Sequence, residues 1–292
     1  MAADQPRQHF GLDLKSSFST GWSTLWHDSP SAKPFRFKRT EGLLPFLRTG
    51  TPPTPMTVAL DAPLTFAAAA LFANRELIAD DLSTLATVEM WRDANCWTKR
   101  PWEKVVGKVL VDDSLKGVLW YEKIRKNNRV DSVPVINVKG FGGLDLSIRG
   151  LWLRRLLEGL GFTLTDACGV QPLQLIEVHP ALALALWWQQ RRTTLFPNYK
   201  SAWRTSVDPL VALLKEVDGR TPDTFANDDA LDCFVAWLIA WYFHENNTVT
   251  LGCVRDGFVV VPRTPLAVAL AEKCRKGKTD MEKPRRSKKK AP

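Results

Sequence analysis

Asp13 closes the segment Phe10-Gly-Leu-Asp, and Asp61 closes Met56-Thr-Val-Ala-Leu. Glu177 stands between Ile176 and Val178 in another apolar run, and Asp228, Asp229 and Asp232 open a long one. Carboxylates gathered in one place repel, which raises some of their pKa values unless a cation neutralises them. Hard oxygen ligands of this kind suit Mg²⁺ or Mn²⁺. Two such ions about 4 Å apart clamp the attacking and leaving oxygens of a phosphodiester. Each acid also has a purely structural role open to it. Asp13 could start a turn, Asp61 before Ala62-Pro63 could form an Asx-turn, and Asp228 and Asp229 suit the positive end of a helix dipole. Glu177 is the costliest to bury without a partner.

The elements that must hold these acids can be read from local pattern. Phe10–Leu14 and Gly21–Trp26 read as strands of a hairpin, with Asp13 near its open end. A third strand is expected over Pro34–Lys38, where Phe35 and Phe37 alternate with Arg36 and Lys38. Leu43, Leu44 and Leu47 have helical spacing, with Pro45 allowed only in a first turn. Met56–Leu60 and Leu173–His179 read as buried strands, the second ended by Pro180. Helices are expected over 145–160, ending at Gly161, and over 180–191, 207–217, 229–244 and from 264 onward. A hairpin is expected between 249–251 and 258–261. In open α/β sheets, sites form outside the carboxyl ends of strands, where Asp13, Asp61 and Glu177 fall. On the late helix Asp232 shares a face with Asp229 or with Asp228, and spacing alone does not choose. Meander strands followed by alternating strand and helix predict a mixed α/β sheet covered by helices.

The chain has 292 residues, with 40 Lys+Arg against 31 Asp+Glu, a net charge of +9. Its 45% hydrophobic content excludes disorder as the main state. Most of the excess charge sits in residues 272–292, where ten basic side chains face three acidic ones. That segment has little to bury and is expected to be a disordered basic tail on a single domain covering 1–271. It suits a nuclear-import signal, a nucleic-acid tether or no role at all. Five dispersed cysteines without a C-x-x-C pair argue against a disulfide framework or a zinc ribbon. The amino end lacks the apolar core of a signal peptide, and no apolar run approaches the twenty or so residues of a bilayer crossing. The expectation is a cytoplasmic protein without a membrane partner.

An insertion over about 66–135 carries Trp91, Trp97, Trp102 and Trp120 among many basic residues. Arg100, Lys104, Lys123 and Arg125 are candidates for holding a nucleic-acid backbone, with the tryptophans divided between base stacking and core. His179 is a lone strand-end histidine, and His9, His27 and His244 show no spacing that joins them into a metal site. Gly140-Phe-Gly-Gly143 lacks the spacing of a phosphate-binding fingerprint.

The ordered set FGLDL, TVALDAPLT, LIEVHPALALAL, NYKSAWR, DDALDCFVAWLIAW and DGFVVVP resembles domain-of-unknown-function family 429, from about residue 9 to 262. That family is described as predicted nucleases with an RNase H-like fold. The resemblance implies a mixed five-stranded sheet whose first three strands form an antiparallel meander, flanked by helices. By analogy with RuvC-type resolvases it implies Asp13, Asp61, Asp229 and Asp232 as metal ligands, with Glu177 facing the same site. Tyr199-Lys200 matches a further family motif, which implies that Lys200 touches phosphate. The family's usual Tyr before the strand-ending proline is His179 here. The expected function is that of a nuclease dependent on two Mg²⁺ or Mn²⁺ ions, one held by Asp13, Asp61 and Asp232 and the second completed by Glu177 or Asp229. The alternative is a non-catalytic nucleic-acid- or protein-binding module on the same fold. Neither DNA nor RNA is favoured, and no oligomeric state is implied.

Overall fold

Gln8–Asp13 forms the first strand, β1, and five of its six residues are buried, as befits the middle of a sheet. In this computed structural model the described residues are 6–14, 23–28, 34–37, 40–47, 54–62, 64, 102, 105–106, 146–169, 171–194, 196–197, 199–200, 202–254 and 257–281. β1 pairs antiparallel with β2 (Ser23–His27), which pairs antiparallel with β3 (Phe35–Phe37). A tight 3₁₀ turn (Thr40–Leu43) leads into α1 (Leu44–Leu47), where Pro45 falls in the first turn as expected. β4 (Met56–Asp61) then lies parallel to β1 on its other side.

After the insertion come α2 (Leu146–Gly159), β5 (Thr163–Leu164) and β6 (Leu173–Glu177). The sheet order is β3-β2-β1-β4-β6-β5, with β6 parallel to both β4 and β5. This is the expected meander plus two parallel strands, with one two-residue strand added at the edge. Residues 15–22 join β1 to β2, so Asp13, which pairs with Thr24, sits at the turn end of the hairpin and not at its open end. A strand's carboxyl end is by construction where its connection begins.

Several elements stop where their chemistry says they should. Two residues past the end of α2, Gly161 sits at φ +92°, with the Phe162 amide donating to Leu157 O (3.0 Å) and the Gly161 amide to Glu158 O (3.0 Å). That reciprocal pair satisfies the last carbonyls of the helix, and buried Phe162 packs beneath it. α3 (Pro180–Arg191) starts on Pro180, whose missing N–H is no loss at that position. α4 (Trp203–Val217) begins a turn earlier than the 207 read from sequence and continues through Pro209. The proline removes one internal bond, but burial of Ser206 on one side and Leu210, Val211, Leu213 and Leu214 on the other holds the helix across it.

α5 (Asp228–His244) is apolar on nearly every side and forms the centre of the core. It lies against β1, β4 and β2. Leu231, Phe234, Val235, Leu238 and Ile239 are each at most 1% exposed. Burying a side chain of this size stabilises by roughly 1.5–3 kcal/mol, so the placement of α5 is strongly determined. Its first turn is fixed by Asn227, whose side chain accepts the Ala230 amide at 2.9 Å. Asn227→Ala is expected to cost about 1 kcal/mol, read as a lower denaturant midpoint with an unchanged slope.

A polar anchor holds α5 to the amino end of β1. Asp28 accepts the His9 amide (2.8 Å) and the Trp237 indole N–H (2.7 Å), and lies 3.0 Å from His9 Nδ1. Burial pushes the Asp28 carboxyl up, but the hydrogen bonds from His9 and Trp237 outweigh it and hold the group below its ordinary value. Arg7 ties the same end of the sheet together, donating to Met56 O, Pro172 O and Gln171 O across the β4–β6 boundary.

β7 (Thr248–Cys253) and β8 (Gly257–Pro262) form the expected hairpin, bridged to the end of β6 through Val178 and Val260. Trp102, buried to 1%, packs with Val106, Leu182, Leu186, Leu251 and Val259 in a second apolar cluster. For this tryptophan the core reading holds. α6 (Pro265–Met281) buries Ala267, Leu270, Ala271 and Cys274, a single helical stripe. The segment 272–292, expected to be disordered, therefore begins as helix, because that stripe extends to Cys274 and Lys, Arg and Glu are good helix formers. Residues 282–292 lie outside the described residues, as does nearly all of the 66–135 insertion. No helix among the described residues is long and apolar enough to cross a membrane.

Candidate metal centre

Asp13 and Asp61 are the last residues of adjacent parallel strands and are paired in register. In-register partners project to the same face of a sheet, so two carboxylates are delivered side by side at one sheet end. The face is set two residues earlier. A side-chain carbon at Gly11 would lie 2.2 Å from both Cys233 O and Trp237 N, so this is the face that receives α5. Asp13 shares it with Gly11 by the two-residue alternation of the strand.

α5 supplies the third acid. Asp232, 1% exposed, sits one residue before the Cys233 that touches Gly11. Asp13, Asp61 and Asp232 each offer one oxygen, and the three atoms lie within 4.8 Å of one another. An ion with oxygen bonds of about 2.1 Å puts adjacent ligands about 3 Å apart and opposite ones about 4.2 Å apart. The donor set is all carboxylate, and its spacing is close to what one small hard cation spans. The triad can hold a metal ion.

A short segment between α3 and α4 closes over Asp232. The Tyr199 hydroxyl donates to Asp232 Oδ1 at 2.7 Å, and the Lys200 ammonium makes a short charged contact with Oδ2. Burial pushes the Tyr199 hydroxyl well above its ordinary value, helped by the charges of Asp232, Asp61 and Asp13, so it stays a neutral donor. Burial alone would lower the Lys200 ammonium, but Asp232, Asp13 and Asp61 outweigh it and raise its pKa, so it stays charged. Burial also pushes the Asp232 carboxyl up, against the pull of Lys200 and Tyr199.

The remaining expected residues are placed as follows. Glu177 pairs with Leu60, one residue short of Asp61, so its side chain leaves the opposite face of the sheet. There it is 2% exposed and accepts the Leu64 amide at 2.8 Å, which braces the turn that follows Asp61. Arg154 binds the same turn through Leu64 O at 2.8 Å. Neither Glu177 nor Asp229 belongs to the group of three. On α5 Asp228, four residues before Asp232, also lies near Lys200, at 3.9 Å. His179 precedes the first residue of α3 in extended backbone, with no side-chain bond to the helix amides. Arg100, Lys104, Lys123 and Arg125 lie outside the described residues.

Three participants were not given a role from sequence. Tyr199 orients Asp232, Gly11 lets α5 approach, and Cys233 donates to Gly11 O at 3.1 Å. The glycine was visible inside a strand pattern, where it signals close approach of another backbone.

A family model described as "Protein of unknown function (DUF429)" matches residues 11–254, a span that includes all three acids. No curated protein and no solved structure matches the chain.

Proposed function

We propose that this chain, which belongs to the DUF429 family, is a divalent-metal-dependent nuclease hydrolysing phosphodiester bonds in nucleic acid on an RNase H-like fold. The observation that carries the reading is the convergence of Asp13, Asp61 and Asp232, from two adjacent strand ends and the core helix, on one small volume. A buried acid cluster of this kind works against folding, so a cation that neutralises it gives it a purpose. Mg²⁺ or Mn²⁺ fits an all-oxygen donor set. Such an ion, when bound, supplies Lewis-acid stabilisation to the phosphoryl oxygens during displacement.

The chain's own residues do the rest. Asp13 and Asp61 are fixed by strand pairing, and Tyr199 holds Asp232 in one orientation. Lys200, at the same place and partly exposed, contributes positive charge for a phosphate. Glu177 braces the Asp61 turn from the other face. Asp229 remains the proposed carboxylate for a second ion, with Asp228 beside it on α5. Arg100, Lys104, Lys123 and Arg125 are proposed to hold the nucleic-acid backbone.

The test is calorimetric titration of Mn²⁺ into the wild type and into Asp61→Asn, alone and with an oligonucleotide present. The nuclease reading expects binding to the wild type, weakened by about tenfold or more in the variant, since a ligating oxygen becomes a neutral amide. Absence of Mn²⁺ binding under both conditions would move the assignment to a non-catalytic binding module. That module would show salt-sensitive nucleic-acid affinity indifferent to Asp61.

A further inference from the structure

Both carboxylate oxygens of Asp232 are engaged by consecutive residues, Oδ1 by Tyr199 and Oδ2 by Lys200. The two partners differ in freedom. Tyr199 is 2% exposed and packs edge-on against Phe196, which packs in turn against Trp188. Lys200 has 42% of its side chain exposed and ends a flexible stem. Its ammonium is also 3.9 Å from Asp228 and feels the charges of Asp13 and Asp61. So a movable positive charge is set beside the carboxylates that would ligate a metal, in contact with one of the two oxygens of Asp232.

We infer that Lys200 is a built-in counter-cation of the triad that competes with the divalent ion, so that ion entry displaces the ammonium toward solvent. The inference rests on the reading of the triad as a metal centre and adds its regulation. Two like charges cannot crowd one carboxylate group at close range without repulsion, and the ion is held by three acids while the lysine can swing away on its stem. The lysine therefore offsets part of the acids' repulsion when divalent ion is scarce. It also sets the concentration at which the ion takes over, and once displaced it is a free cation beside the ion, where a phosphate would arrive.

The test compares Mn²⁺ affinity of the full chain with that of Lys200→Met and Lys200→Arg by calorimetry. Lys200→Met is expected to bind Mn²⁺ about tenfold more tightly, while Lys200→Arg stays within about threefold of the wild type. Equal or weaker binding by Lys200→Met overturns the competition. Absence of Mn²⁺ binding in all three forms, alone and with an oligonucleotide present, overturns the metal centre itself, and this inference with it. A second measurement uses the wild type alone. An amine-reactive acetylating reagent, followed by mass spectrometry, is expected to modify Lys200 several-fold faster with Mg²⁺ than without, while Lys215 keeps its rate. An unchanged rate at Lys200 overturns the displacement even where the methionine variant fails to fold.

Discussion

On the proposed nuclease reading, Asp13→Asn is expected to lower Mg²⁺-dependent cleavage of nucleic acid about a thousandfold, on the order of 4 kcal/mol of transition-state stabilisation, while the folded chain survives intact. The substitution preserves size and removes only charge. Asp13 is 5% exposed on a central strand whose pairing with β2 and β4 does not depend on its side chain. It is also one of three mutually repelling carboxylates, the third of which is met by the Lys200 ammonium. Removing one negative charge therefore relieves repulsion in the free protein, and the thermal midpoint is expected to hold or rise. Loss of rate together with a stable or higher midpoint is the mark of a site built at the expense of stability. A variant prepared in parallel that cleaves as fast as the wild type would assign the activity to a contaminant or to other residues.

Gly11→Ala is expected to destabilise by about 3 kcal/mol or more, and to abolish Mn²⁺ binding along with it. The added carbon would sit 2.2 Å from Cys233 O and from Trp237 N, and 2.8 Å from Trp237 Cα. All three are backbone atoms of the core helix, so no side-chain rotamer relieves the clash. α5 has to lift from β1, which breaks the Cys233 thiol bond to Gly11 O and carries Asp232 away from Asp13 and Asp61. Gly159→Ala is the matched control. It lies in a helix with nothing within 4 Å of the added carbon, and should stabilise by about 0.5–1 kcal/mol. Denaturant melts and a Mn²⁺ titration on both variants check the pair. A Gly11→Ala protein with wild-type stability would mean that α5 does not approach β1 this closely.

The acids at 13 and 61 were legible because each ends an apolar run, and a strand's end is a local property. Which acids meet is not local. Glu177 sits at the end of an equally clear strand, yet the register of β6 on β4 turns its side chain to the far face, and a one-residue shift in register would have reversed that. Helical spacing leaves Asp228 and Asp229 equal beside Asp232, and the 3.9 Å approach of Lys200 to Asp228 depends on a residue far from both in sequence. Lys200 was read as a phosphate contact from a motif, while its partner Asp232 lies 32 residues away along the chain. The anchor of His9 on Asp28 and Trp237 was invisible for the same reason, since its members meet only once α5 is seated. The mixed sheet, the long core helix and the final hairpin were legible because periodicity and turn residues fix them within a few residues of sequence.

The contact between Cys233 and Gly11 joins residues 222 positions apart. A ribosome adding about 5–20 residues per second would expose β1 roughly 10–45 s before the helix that completes the acid cluster. During that interval the chain has strands with one unfilled face, and Gly11 and Ala59 present the least side chain to cover it. Such a face is what holding chaperones recognise in newly made chains. The same delay makes the acid cluster a report on completeness. A chain truncated before Asp232 keeps two of its carboxylates and cannot bring the third to them, so fragments arising from interrupted synthesis would lack the assembled acid cluster.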